Sequence, residues 1–356
     1  MIHNGECREV MRRLISEGVK VQSCVTSPPY WGLRDYGCSG QLGLEETPEE
    51  YVANMVEVFS LVYELLADDG TLWLNLGDSY AGSGKGGNPG HSEHIKQKTN
   101  FGSLSVRDRK QSTPDLKPKD MVGIPWRVAF ALQAAGWYLR SDIIWSKPNP
   151  MPESVTDRPT KAHEYIFLMS KKQHYYYDSE SIKEPAIYHD ITGMDDTGYK
   201  DAKKFNGKHS DKQRGHSRRH AGFNERWDKM EKSEQCSGMR NKRTVWEIAT
   251  KPYAEAHFAT FPPKLIEPCI LAGSRAGDIV LDPFSGSGTT GMVAYQHGRK
   301  YIGIELNPEY ISLSDKRTTN VQVDMLTSLP VLSSNAQHPY QHENTPSPAL
   351  SHPDAP

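Results

Sequence analysis

Several common signatures are missing from this 356-residue chain, and each absence removes a class of function. There is no C-x-x-C pair: Cys7, Cys24, Cys38, Cys236 and Cys269 are odd in number and widely scattered. That excludes a disulfide framework and a cysteine metal knot, and leaves reduced thiols of the kind expected in the cytoplasm. No apolar run approaches the roughly 20 residues that cross a bilayer, and no signal peptide opens the chain, so no membrane role is expected. The net charge is only −2, so any attraction to phosphate must come from local patches rather than a global basic field. Gly82-Ser83-Gly84-Lys85-Gly86 superficially suggests a nucleotide phosphate loop, but Ser79 occupies the first glycine position and Gly86 stands where Ser or Thr would bind magnesium.

What is present is an alternation of short apolar runs and helical periodicity, which implies an α/β fold as one large domain with insertions or two smaller ones. Met1 to Asn4, Val21 to Val25 and Thr71 to Leu76 read as strands, with helices over Arg8 to Ser16 and Pro48 to Leu66 between them. Asp68-Asp69-Gly70 is expected to end the second helix. Pro125, suited to a first helical turn, starts a helix running to Ala135. Trp137 to Trp145 and Glu164 to Met169 read as central strands, and the Pro-rich loop Lys147 to Pro159 between them suggests a site.

Two regions break the pattern. Residues 79–120 turn to Gly, Ser, Lys, Asn and Pro and are expected to form a mobile loop. Residues 179–250 lose periodicity, and from Lys200 to Arg243 there are fourteen Lys or Arg against six Asp or Glu, interleaved with His209, His216, Phe223 and Trp227. That mixture suits phosphates and bases, and it equally describes a solvated surface insertion. The boundaries that follow are 1–178, 179–250, 251–328 and a Pro, Ser and His-rich tail at 329–356, expected to be disordered.

The first stretch that carries chemistry is Thr26-Ser27-Pro28-Pro29-Tyr30-Trp31, directly after a buried strand. Two prolines forbid both helix and further pairing, so the carbonyls of Ser27 and Pro28 are held outside regular hydrogen bonding and can accept from an amine. The exocyclic amine of adenine or cytosine is a poor nucleophile because its lone pair is delocalised into the ring. Acceptors on its hydrogens pull the nitrogen toward tetrahedral and localise that pair, which is transition-state stabilisation by preorganised dipoles. Tyr30, with Trp31 beside it, would give a flat face for a base swung out of a helix. The plainer alternative is a Pro-rich turn.

The second stretch is Asp278 to Thr290, where a short apolar strand runs into Phe284-Ser285-Gly286-Ser287-Gly288 and then Thr289 at a helix start. Glycines allow positive φ and close approach to a ligand, and a helix start offers free N–H groups. A second strand, Tyr301 to Ile304, ends at Glu305, about twenty residues past the glycines, the spacing that grips a ribose diol. Glu6, also at a strand's end, either binds the cofactor or caps the following helix.

Together these stretches resemble the amino-methyltransferases that modify cytosine at N4 or adenine at N6 of DNA, over most of residues 1 to 325. In that family a [DNS]-P-P-[YFW] corner is catalytic, matched by Ser27, Pro28, Pro29 and Tyr30, and an F-x-G-x-G loop holds the cofactor, matched by Phe284, Gly286 and Gly288. The resemblance implies S-adenosylmethionine as cofactor and no metal. It places Glu305 on the ribose, Glu6 at the adenosine end, Thr260 by the methionine pocket, and Asp282 and Thr289 in the cofactor site. It also sets Asp142 to Ser146, Lys147 to Pro150 and Arg158 to Thr160 beside the catalytic pocket. With the catalytic corner first and the cofactor loop last, the implied fold is Rossmann-like and circularly permuted, a seven-stranded mostly parallel sheet with a basic target-recognition insertion. Double-stranded DNA is the implied partner; a homodimer would suit a palindromic site, and a cognate restriction endonuclease is the expected companion. Serine at the first motif position favours cytosine over adenine, although a hydroxyl and a carboxylate both accept from an amine. Pro268-Cys269 would be the nucleophile of a carbon-5 enzyme, but it lies in an apolar helical run and reads as core. A protein or RNA methyltransferase, or an inactive DNA-binding module, are the remaining alternatives.

Overall fold

Leu72, Leu74 and Leu76 face one side of a sheet and Trp73 the other, and all four are buried, so strand β3 (Leu66–Leu76) is covered on both faces. The computed structural model describes residues 1–82, 113, 115–186, 239–250, 261–319 and 321. The chain runs β1 (Ile2–Asn4), α1 (Cys7–Ser16), β2 (Val21–Thr26), α2 (Pro48–Leu65), β3, α3 (Ile124–Ala134), β4 (Tyr138–Ser146) and β5 (His163–Ser170). After the short strands β6 (Glu184–Pro185), β7 (Met239–Arg240) and β8 (Val245–Glu247) come α4 (Pro263–Gly273), β9 (Ile279–Asp282), α5 (Thr289–Gln296), β10 (Lys300–Glu305) and α6 (Pro308–Thr319).

One sheet has the order β1-β10-β9-β2-β3-β5-β4-β8, parallel except that β5 runs antiparallel to both its neighbours. It has eight strands among the described residues rather than the seven expected. The addition is the three-residue edge strand β8, which pairs Val245–Glu247 with Ile144–Ser146 and is too short to show a period. Strand β4 therefore lies next to an edge, not at the centre. Helices α1, α2 and α3 pack Met11, Tyr51, Phe59 and Leu132 on one face, and α4 and α5 pack Ile266, Ile270 and Val293 on the other. This is the α/β layering that the sequence pattern predicts.

Asp68-Asp69-Gly70 does not end α2. Helix α2 stops at Leu65, β3 begins at Leu66, and the register jumps from Val21–Leu66 to Ser23–Thr71, which leaves Ala67 to Gly70 as a bulge inside the strand. Gln22 stabilises it by donating to Asp69 Oδ1 at 3.1 Å. Most of residues 79–120 and of the basic stretch 179–250, Thr260 and the tail 329–356 lie outside the described residues.

The parallel strands deliver their C-terminal ends to one edge, where ligands bind in open α/β sheets. Antiparallel β5 brings its first residues there too, since Tyr165 pairs with Leu76. Glu6, Glu305, Phe284, Ser27, Gly77, Glu164 and Lys147 thus line a single rim.

Candidate active site

Ser27 and Pro28 lie just past the last paired residue of β2, and among the described residues neither carbonyl accepts a hydrogen bond. The next carbonyls are used: Tyr51 donates to Pro29 O at 2.9 Å, and Leu33 N donates to Tyr30 O at 3.3 Å. The prolines therefore free two acceptors while the following turn is anchored to α2. Gly43 completes the anchor, because its N–H faces Glu45 while a Cβ at its φ of 93° would come within 3.1 Å of both Pro29 Cβ and Tyr30 O.

The side chains form a network. Ser27 Oγ donates to the Tyr30 hydroxyl at 3.4 Å, and Tyr30 donates to Glu164 Oε2 at 2.8 Å, with Asn75 Oδ1 at 3.0 Å. Lys147 pairs with the other oxygen of Glu164. Burial and the neighbouring Glu164 push the Tyr30 phenol well up, so it stays an O–H donor. Gly77 lets the ring in, since a Cβ there would lie 2.5 Å from Tyr30 Cε2. Trp31 offers no open face for the stacking expected of it: it is 3% exposed, and its Nε1 donates to Glu45 O at 3.0 Å.

The glycine loop leaves β9, the strand beside β2. Gly286 has φ 50°, and among the described residues a Cβ there would meet only Phe284 O, at 3.9 Å, which leaves the space beside it open to them. Its N–H donates to Glu305 Oε2 at 2.7 Å, and Asn307 N donates to Oε1 at 2.8 Å. A carboxylate has about four acceptor sites, so among the described residues Glu305 has capacity left beyond its backbone donors. Burial pushes its carboxyl up from the usual range, against the lowering effect of its backbone donors. Gly5 N also donates to Glu305 O at 3.0 Å, which places Glu6 beside it on the rim.

Four predicted residues are held by the protein's own groups. Asp282 is 1% exposed and turned inward: Thr26 Oγ1 and Phe284 N donate to Oδ1 at 2.6 and 3.0 Å, and Thr290 Oγ1 donates to Oδ2 at 2.7 Å. It braces the loop rather than facing a ligand, and burial raises its pKa to about 6 despite those donors. Gly288 is needed by packing, since a Cβ would fall 2.0 Å from Ser314 Oγ on α6. Thr289 is buried and accepts from Arg317 at 2.9 Å. Glu6 caps α1, accepting from Arg8 N and Glu9 N at 3.0 and 3.2 Å and pairing with the Arg8 guanidinium at 2.9 Å. That is the capping alternative, realised at the rim.

A family model described as a DNA methylase, N6_N4_Mtase, matches residues 21–316. The chain belongs to that family. The enzyme is an S-adenosylmethionine-dependent DNA methyltransferase of the amino type. Type II methyltransferase M.Cfr9I of Citrobacter freundii is 46% identical over 317 residues, covering 89% of this chain and 86% of its own. Type II methyltransferase M.SmaI of Serratia marcescens is 48% identical over 316 residues, covering 88% of each chain. The fold is shared with the PvuII DNA methyltransferase, a cytosine-N4-specific enzyme, at TM-score 0.53 and 19% identity over 89% of this chain and 85% of that one.

The residues fit that cofactor on two observations, the open space at Gly286 and the spare acceptor sites of Glu305. The carbon-5 alternative fails structurally. Cys269 is 1% exposed inside α4, burial raises its thiol far above the usual range, and its Sγ faces Leu265 O at 3.7 Å. Among the described residues no helix is long and apolar enough to cross a membrane, and no group of His, Cys, Asp and Glu could hold a metal ion. Asn75, Lys147 and Glu164 stand in no motif that marks them in the sequence. Lys147 at the head of the Pro-rich loop was the available signal.

Proposed function

We propose that this enzyme methylates the exocyclic N4 amine of cytosine in double-stranded DNA, acting on a base swung out of the helix. The observation that carries the reading is the Ser27 hydroxyl: it donates to Tyr30 and so keeps its lone pairs for an amine, beside the two unused carbonyls of Ser27 and Pro28. These groups take the amine hydrogens and localise the nitrogen lone pair as it attacks. Tyr30 supplies the face for stacking, and its anchored hydroxyl fixes the ring. S-adenosylmethionine supplies an electrophilic methyl on sulfonium. Phe284 and Gly286 hold its methionine end, Glu305 accepts from its ribose, and Glu6 lies toward the adenosine.

The Type II names of the relatives support a place beside a cognate restriction endonuclease, where a palindromic site would be served by a homodimer. The basic stretch from Lys200 to Arg243 supplies the phosphate contacts. The test is incubation with S-adenosylmethionine and unmodified bacterial DNA, then nucleoside digestion and mass spectrometry. N4-methylcytosine is expected. N6-methyladenine would overturn the base assignment, and the absence of any modified base would overturn the DNA substrate.

A further inference from the structure

Glu164 has no part in the chemistry above, yet the side chains of the corner converge on it. It opens β5, and the antiparallel course of that strand brings it to the rim. Its Oε2 accepts from Tyr30 at 2.8 Å and from Asn75 Nδ2 at 3.4 Å, and its Oε1 pairs with Lys147. Asn75 is itself fixed, donating to Tyr165 O at 3.0 Å. Lys147 lies 4.2 Å over the Trp145 ring, so the cation too is confined. Glu164 and Lys147 are 17% and 18% exposed.

A partly buried ion pair adds little to stability by itself, because desolvation offsets most of the attraction. What this pair does is immobilise one carboxylate oxygen opposite the Tyr30 hydroxyl. Gly77 confines the edge of the same ring, and the Tyr30 oxygen accepts a hydrogen bond from the Ser27 hydroxyl. The direction of the Ser27 hydroxyl is thus set by a chain that ends on Glu164. A freely rotating hydroxyl would spend its lone pairs on water.

We propose that Glu164, held by Lys147, is a positioning residue for methyl transfer: it fixes the Tyr30 hydroxyl, which orients Ser27 toward the target amine. The inference rests on the reading of the Ser27 corner given above.

The test is a double-mutant cycle on the single-turnover methylation rate, with cofactor affinity and melting temperature measured on each full-length variant. Glu164→Ala is expected to slow transfer about 10- to 100-fold, the scale of a small misplacement of a reacting group, with cofactor affinity unchanged. In a Tyr30→Phe background, which has already lost the hydroxyl link, the same change should cost less than about threefold. Glu164→Gln keeps an oxygen acceptor for Tyr30 and should recover most of the rate. Equal losses in both backgrounds, or a Tyr30→Phe enzyme as fast as the parent, would overturn the proposal. If Glu164→Ala fails to fold, Glu164→Gln and Lys147→Met are run through the same cycle against Tyr30→Phe. Ser27→Ala separates the two levels. A fast Ser27→Ala enzyme sinks the corner itself, whereas a slow one with an additive cycle removes only the role of Glu164.

Discussion

Thr26 donates its hydroxyl to Asp282 at 2.6 Å, joining the strand that ends in the Pro-Pro corner to the strand that ends in the glycine loop. Thr290, at the start of the helix after that loop, donates to the other oxygen at 2.7 Å. The two halves of the site, far apart in the chain, therefore share one buried carboxylate.

That carboxylate gives an inverted pH dependence. Its pKa rises from 3.8 to about 6 on folding, so the folded state binds the proton more tightly. The stability it contributes is fully present below about pH 4 and is lost as pH rises through about 6, by on the order of 3 kcal/mol. Asp282→Asn cannot titrate. Melting temperatures of the two proteins across pH 4 to 7 should differ most in favour of the parent at the acid end, and a gap that grows with pH would contradict the burial argument.

Ser27→Ala should lower turnover on the order of 100-fold, the usual cost of removing one preorganised polar group at a reacting centre. Equilibrium binding of S-adenosylmethionine should be nearly unchanged. Weakened binding with normal turnover would move Ser27 out of the catalytic corner.

The two loop glycines should behave differently. Gly286→Val places a side chain in the open space beside the loop and should weaken cofactor binding at least about tenfold, mostly by blocking that space. Gly288→Ala drives a Cβ to 2.0 Å from Ser314 Oγ and should cost about 1 to 3 kcal/mol of stability. Because Ser314 Oγ is buried and without a partner among the described residues, Ser314→Gly in the same chain should restore part of that loss, read by thermal melting.

Gly77→Ala tests the ring from its other side. A Cβ there overlaps Tyr30 Cε2 at 2.5 Å, so the ring must shift and turnover should fall about tenfold or more while cofactor affinity holds. Normal turnover would mean that the position of Tyr30 is not critical.

The elements were legible wherever burial imposed a period. The strand at Val21, the helix from Pro48 and the strand at Ile279 appear close to where their apolar patterns put them, because packed faces force those patterns. The corner and the loop were legible because proline and glycine restrict or release the backbone itself. Glu164, Asn75 and Lys147 were not, since they meet only after β5 reverses direction against β3, and nothing local encodes that. Gly288 and Asp282 show the same limit: their positions in the motif were visible, but not that Ser314 and Thr26 would claim them. The bulge at Ala67 to Gly70 escaped because its turn-forming residues look alike in a loop or a strand.

Pro185 and Met239 stand opposite each other in a two-stranded ladder, clasped by the Glu184–Arg240 ion pair at 2.9 Å. The described chain therefore holds the two ends of the intervening stretch side by side. Closing a longer excursion costs only logarithmically more. The clasp thus pins both ends of any stretch joined there, so that a change in its length need not be felt at the rim.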